Sequence, residues 1–213
     1  AINPLFMDGL RAELAAAGSS RAKLLALYDR LPTLKIFDPA CGCGNFLVIA
    51  YRELRLLENE LIDKLFSKGG QSKGLLDIGT QSRVTVDQFY GLEIDPSAAH
   101  IAQVALWITD HQLNLITADR FGSTRPSIPL VKSAHIHQCN ALRTDWAEVL
   151  APGECSFIVG NPPFVGAKFQ TAEQRADAAR VLAGIANHGL LDYVACWHVQ
   201  AARYLQANLQ AAC

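Results

Sequence analysis

The sequence predicts an α/β fold built on a largely parallel sheet. Two observations carry this. Short apolar runs alternate with amphipathic stretches in the order strand, helix, strand, helix, strand, strand, helix, which is the order of a crossover-connected parallel sheet. Glycine- or proline-rich turns also follow the strand-like runs, and in such sheets ligands bind at the carboxyl ends of the strands, near the point where strand order reverses.

Residues 1–33 read as a helical lead-in, with Leu5, Leu10, Leu14, Leu24, Leu25 and Tyr28 near helical spacing. "AGSS" at 17–20 interrupts it and offers Ser20 as a cap. "LKIFD" is a short buried strand. Leu47, Ala50, Leu54, Leu57, Leu61 and Leu65 then step by three or four, as in a long amphipathic helix. "SKGGQSKG" reads as a loop, "VTVDQFYGLEID" carries the second strand, and Pro96 opens the next helix. "DRFGSTRPSIP" reads as a long surface loop. "AHIHQCNAL" and "CSFIVG" hold the third and fourth strands. "TAEQRADAARVLAG" and "LLDYVACWHVQAARYLQANL" close the chain as helices.

Composition narrows the function classes. The chain has 213 residues, half of them hydrophobic, with a net charge of −1. That suits one folded domain and gives no general basic excess for nucleic acid, so a DNA or RNA contact would need a local patch or a further domain. No apolar run is long enough for a bilayer, and the first residues lack a secretory signal pattern. The chain opens on Ala1 rather than Met, which reads as processing or as a piece of something larger. Six cysteines without a signal peptide suggest a reduced, cytoplasmic setting rather than a disulfide framework. No metal is expected. The close pair Cys41 and Cys43 has no second Cys/His pair at ligand spacing, and His135 and His137 read more simply as two ordinary histidines on a strand.

The chemistry gathers in the loops after the strands. "FDPACGCGNFL" puts Asp38 at the end of the first strand, then Gly42 and Gly44 before a helix. Glycines there permit a tight turn and close approach of a ligand to the backbone. Leu47 stands where a dinucleotide fingerprint needs its third glycine, and no Gly-Lys-Ser/Thr follows, so neither phosphate motif is met. Asp38 would repel a phosphate and favour a ligand with a positive or donor-rich end. Glu93 ends the second strand, where a carboxylate can accept from both hydroxyls of a ribose. Ile94 is placed to lie against an aromatic base and Asn140 to meet its edge, although packing and turn roles are open to both. After the fourth strand, "IVGNPPFVG" forms a loop stiffened by Pro162 and Pro163. The Asn161 side chain and the Pro162 carbonyl offer two acceptors for an –NH₂ group, and Phe164 offers a flat face for stacking.

"DPACGCGNF" and "NPPF" resemble two signature motifs of the S-adenosylmethionine-dependent amino-methyltransferases of the N6-adenine DNA type. The longer strings "IFDPACGCGNFLVIAYRELRLLE", "VDQFYGLEI", "VALWITDHQ" and "GNPPFVGAKFQTAEQRAD" resemble the MmeI-like Type IIL restriction–modification enzymes. The resemblance runs through most of the chain. It implies a Rossmann-like class I methyltransferase fold with strand order 3-2-1-4, and a piece, 1–213, comprising the N-terminal part of a catalytic domain: lead-in at 1–33, cofactor-binding and catalytic-loop half at 34–213.

By the same resemblance, Asp38, Ala40, Gly42 and Gly44 would surround the methionine end of S-adenosylmethionine, and Pro39, Cys41, Asn45 and Phe46 would also belong to the cofactor-binding loop. Glu93 would hold the ribose, with Ile94, Asn140 and Ala141 around the adenine; Asn140 stands where many relatives carry Asp. Asn161, Pro162, Pro163 and Phe164 would be catalytic, gripping the target amino group and stacking on its base. Double-stranded DNA would be the partner, through domains outside this stretch. The isolated piece would be inactive, and its fourth strand, near Phe157, would form an exposed sheet edge. Two alternatives are a methyltransferase acting on protein glutamine or RNA, and a cofactor-binding piece without chemistry of its own.

Overall fold

A computed structural model describes residues 3–66, 82–121 and 133–206. Four short strands, β1 (Ile36–Asp38), β2 (Phe89–Glu93), β3 (His135–Gln138) and β4 (Phe157–Ile158), form one sheet in the order β3-β2-β1-β4. Every pairing is parallel, with Asp38 opposite Gly91, Glu93 opposite Gln138 and Phe37 opposite Ile158. This is the expected strand order, with β4 at one edge. All four strands therefore end on the same side of the sheet.

Both faces of the sheet carry apolar packing, because successive strand residues point to opposite sides. Ile36, Phe89 and Ile136 enter one apolar cluster, and Phe37, Tyr90 and Leu92 enter the other. The first cluster is closed by α1 (Asp8–Ala17), α2 (Arg21–Arg30), α3 (Asn45–Phe66) and α4 (Pro96–Phe121). The six α3 residues read as its apolar stripe, Leu47 through Leu65, are all buried. The second is closed by α5 (Trp146–Val149), α6 (Ala172–Val181) and α7 (Ala195–Gln206), with Trp146 and Tyr204 packed around Phe37.

Several boundaries differ from the sequence reading. A π-helical turn, Asn3–Met7, precedes α1, and Gly18 ends that helix at a φ of 53°. Ser20 stands at the start of α2 in extended conformation, but its side chain makes no capping bond. At α6 the cap is made: Thr171 Oγ1 accepts from Gln174 N, and Gln174 Oε1 accepts from Thr171 N. The last helix begins at Ala195 rather than near Leu190, because Asp192 Oδ1 takes the N–H groups of Val165 and Val194 and holds this stretch as a turn. Asp119 to Phe121, read as loop, continue α4, where Arg120 pairs with Asp63. "SKGGQSKG" and the rest of the predicted 119–129 loop lie outside the described residues.

Candidate active site

The loop after β1 is a tight cradle. Cys41 N donates to Leu92 O at 3.0 Å, extending the contact between β1 and β2, and Gly44 N donates back to Cys41 O at 2.8 Å. Gly42 and Gly44 take left-handed backbone conformations, with φ of 55° and 82°. A Cβ on Gly44 would lie 3.0 Å from the Cβ of Ala102, so this position also sets how closely α3 starts against α4.

Two carboxylates organise the cradle. Glu93 Oε2 accepts from Gly42 N at 2.9 Å, and Oε1 accepts from Asp95 N at 2.8 Å. Each oxygen keeps a further lone pair, so the carboxylate can still take two donors from a ligand. Asp38 is fully buried. Its Oδ1 accepts from Ala40 N at 3.0 Å, while Oδ2 is buried with no hydrogen-bond partner among the described residues. Burial, aided by the nearby Glu93 charge, pushes the Asp38 carboxyl up to about 7. An orphaned buried acceptor is costly unless a donor arrives.

The loop after β4 runs beside Asp38. Gly160 passes so near Asp38 that a Cβ there would meet Oδ1 at 2.9 Å. Beyond it, Asn161 and Phe164 are exposed, Phe164 at 72%. The Asn161 side chain and the Pro162 carbonyl have no hydrogen-bond partner among the described residues. The loop is fixed from its far side: Val165 N donates to Asp192 Oδ1 at 3.0 Å, and Val165 O accepts from Tyr193 N at 3.0 Å. Gln170 Nε2 adds bonds to the carbonyls of Val165 and Leu191.

A cleft of about 510 Å³ lies at these strand ends. Among the expected residues, Pro39, Ala40, Gly42, Glu93, Ile94, Asn140, Ala141, Asn161 and Pro163 line it. Asp38 sits behind its wall. Cys41 belongs to the loop but is buried toward Gly91, and burial raises its thiol far above the ordinary range, which removes it as a nucleophile. Cys43 is exposed and outside the lining. Asn45 is exposed at the first turn of α3, while Phe46 packs against the apolar core. Gly44, Pro162 and Phe164 also lie outside the lining. No metal-holding group of His, Cys, Asp and Glu occurs among the described residues; His135 instead stacks on Tyr90 at 4.5 Å.

The sequence reading missed the far wall, which includes Thr171, Gln174, Asp177, Tyr193 and Trp197. Trp197 Nε1 donates to Pro39 O at 3.0 Å, tying α7 to the cradle. The sequence signal for this wall was faint: an aromatic pair at i, i+4 in "YVACW" and the Thr-x-x-Gln capping box at α6.

Comparison with known proteins fits this geometry. The family model of the MmeI DNA-methyltransferase domain matches residues 14–213. "DNA methyltransferase A" of Bacillus subtilis is 37% identical over 207 residues, covering 95% of this chain and 23% of that protein. The adenine-specific methyltransferase PglX of Streptomyces coelicolor is 25% identical over 161 residues, covering 63% of this chain and 12% of that protein. The Type IIL restriction–modification enzyme MmeI, solved in complex with DNA, superposes with a TM-score of 0.93 at 49% identity, over 99% of this chain and 28% of that one. The chain thus spans about a quarter of the length of these two fuller matches. A match across 14–213, on a fold whose strand ends carry the expected cradle and loop, makes this chain a member of the MmeI DNA-methyltransferase domain family.

Proposed function

We propose that these residues form the cofactor-binding and catalytic-loop half of an S-adenosylmethionine-dependent DNA methyltransferase acting on the N6 amino group of adenine, within a Type IIL restriction–modification enzyme of the cytoplasm. The carrying observation is the loop after β4. It is seated on Asp38 through Gly160 and braced by Asp192, and it holds out two acceptors without partners among the described residues, beside an exposed aromatic ring. The adenine-specific name of the Streptomyces coelicolor relative supports the choice of base. Residues 1–33 are the lead-in, and 34–213 hold the working parts.

The residues present fit the cofactor. Asp38 Oδ2, buried and without a partner, suits a cationic amino group, and the Glu93 carboxylate suits ribose hydroxyls. Ile94 and Asn140 flank the space for the adenine ring. Bound S-adenosylmethionine would supply a methyl group made electrophilic by its sulfonium. Asn161 Oδ1 and Pro162 O accept from the two N6 hydrogens of the target adenine. That draws the nitrogen lone pair out of conjugation and aims it, so catalysis is orientation plus electrostatics. Phe164 stacks on a base that has left the duplex.

The test is methyl transfer by the full-length protein from labelled S-adenosylmethionine to duplex DNA, RNA and a glutamine-bearing protein. Label in N6-methyladenine of DNA is expected. Label confined to RNA, protein or cytosine would overturn the reading. Asn161→Ala should lower kcat by about 10²–10³ through loss of a preorganised acceptor. Phe164→Ala should weaken target-base binding by about 1–3 kcal/mol with a smaller effect on cofactor affinity.

A further inference from the structure

We propose that Asp177 is a positioning residue that locks the Asn140 side-chain amide in one orientation, and so makes the cleft prefer an adenine ring to a hypoxanthine ring in its cofactor. The proposal rests on the cofactor reading above.

Asp177 lines the cleft from α6 and is 4% exposed, yet it has no acceptor left to offer a ligand. Its Oδ1 accepts from Arg143 Nε at 2.8 Å and Arg180 Nη2 at 3.0 Å. Its Oδ2 accepts from Arg143 Nη2 at 3.1 Å and Asn140 Nδ2 at 3.1 Å. A carboxylate has about four lone-pair sites, and all four are used. Burial pushes its carboxyl up, but the bonds from Arg143 and Asn140 outweigh that and hold it below the usual carboxylate range. Asp177 therefore stays ionised at neutral pH.

Asn140 is the bond partner that faces the ligand space. Its Nδ2 donates to Asp177, and its Oδ1 accepts from Leu142 N at 2.9 Å. Turning the amide over would set its oxygen against the Asp177 carboxylate and its NH₂ against the Leu142 N–H. Both contacts become repulsive, so one orientation is fixed. What remains is one Nδ2 hydrogen and one Oδ1 lone pair on a residue that lines the cleft.

That donor–acceptor pair complements an adenine edge, where an amino N–H lies beside a ring-nitrogen acceptor. Hypoxanthine reverses the pattern on the same edge: a carbonyl oxygen replaces the amino group and the ring nitrogen carries hydrogen. A free amide could turn over and read either ring. An amide held by Asp177 reads one. The carboxylate that governs this subsite thus comes from α6, 37 residues beyond the strand-end Asn140.

The experiment titrates S-adenosylhomocysteine and its hypoxanthine counterpart, S-inosylhomocysteine, into the full-length protein and three variants. The native protein should favour the adenine ligand by at least about tenfold, the discrimination expected of one bidentate amide contact. Asp177→Ala should bring the two affinities to within about twofold. Asp177→Asn, whose Oδ1 still accepts from Asn140, should keep part of the preference and covers the case in which the alanine variant does not fold. Glu93→Ala should weaken both ligands alike and leave the ratio unchanged. An unchanged ratio in the folded Asp177 variants, even with weaker binding throughout, would show a merely structural residue and overturn the proposal. Failure of the folded native protein to bind either ligand would instead overturn the cofactor reading, and the proposal with it.

Discussion

Asp38 combines full burial, one backbone bond and one oxygen without a partner. Its carboxyl, raised to about 7 from the ordinary 3.8, makes a definite demand on the ligand-free protein. Between these two values the folded state holds a proton that the unfolded chain has lost. Stability therefore falls as pH rises from about 4 and levels off above about 7, with a largest effect of roughly 4 kcal/mol. A ligand amino group paired with Asp38 needs the ionised form, so cofactor affinity should rise as pH climbs through about 7. Asp38→Asn keeps the acceptor for Ala40 N and removes the ionisation. Denaturant titrations at pH 5 and pH 8 should show the native chain losing stability at the higher pH and the variant losing much less. Calorimetry should show the variant's cofactor binding largely gone. A native chain as stable at pH 8 as at pH 5 would contradict the burial argument.

At the scale of elements, the long helices α3 and α4 meet through a polar seam as well as apolar packing. Arg55, with no exposure, donates to Tyr51 Oη at 2.8 Å, Asp110 Oδ1 at 3.2 Å and Asn114 Oδ1 at 3.0 Å. Glu58, also fully buried, lies 3.5 Å from Arg55 Nε as an ion pair and accepts from Val84 N and Ser82 Oγ, anchoring the approach to β2. Burial pushes the Glu58 carboxyl up, while Arg55 opposes that shift. Arg55→Met would strand two buried acids, and a cost of about 3–5 kcal/mol is expected in equilibrium unfolding. A loss below about 1 kcal/mol would mean the seam relaxes or takes in water. Helical spacing showed the Leu47-to-Leu65 stripe but could not show this seam, because its partners are up to 62 residues apart along the chain. The same holds for the 190–194 turn. Its apolar letters look helical, and only the bonds from Val165 and Val194 to Asp192 reveal why helix formation waits until Ala195.

For the whole molecule, the β3-β2-β1-β4 sheet gathers four loops at one end and leaves β4 at an edge. Phe157 and Val159 turn their N–H groups toward β1, donating to Lys35 O and Phe37 O, so by alternation Ile158 points its N–H outward. No strand of the described residues covers that side. Hydrogen exchange of this 213-residue chain should find the Ile158 amide exchanging well before that of Val159. Equal protection would show that the edge is covered. An open edge also favours self-association at high concentration.

The sequence by itself determined the layer pattern, the parallel character of the sheet and the near wall of the cleft. These rest on local rules: period-two and period-3.6 burial, turn chemistry after a strand, and the tendency of parallel sheets to bind ligands at strand ends. Asp38, Gly42, Glu93 and Asn161 could be picked out because each stands within a few residues of a strand end. Only the tertiary structure decided the far wall. Asp177 meets Asn140 across 37 residues and Trp197 meets Pro39 across 158, and no short window of sequence holds both members of either pair. It also decided which motif residues face the ligand space: Ala40 and Gly42 line the cleft, whereas Cys41 and Phe46 turn to the core. The physical reason is the same throughout. A strand and its turn are set by neighbours along the chain, whereas a site wall is set by whatever packing brings to the same sheet end.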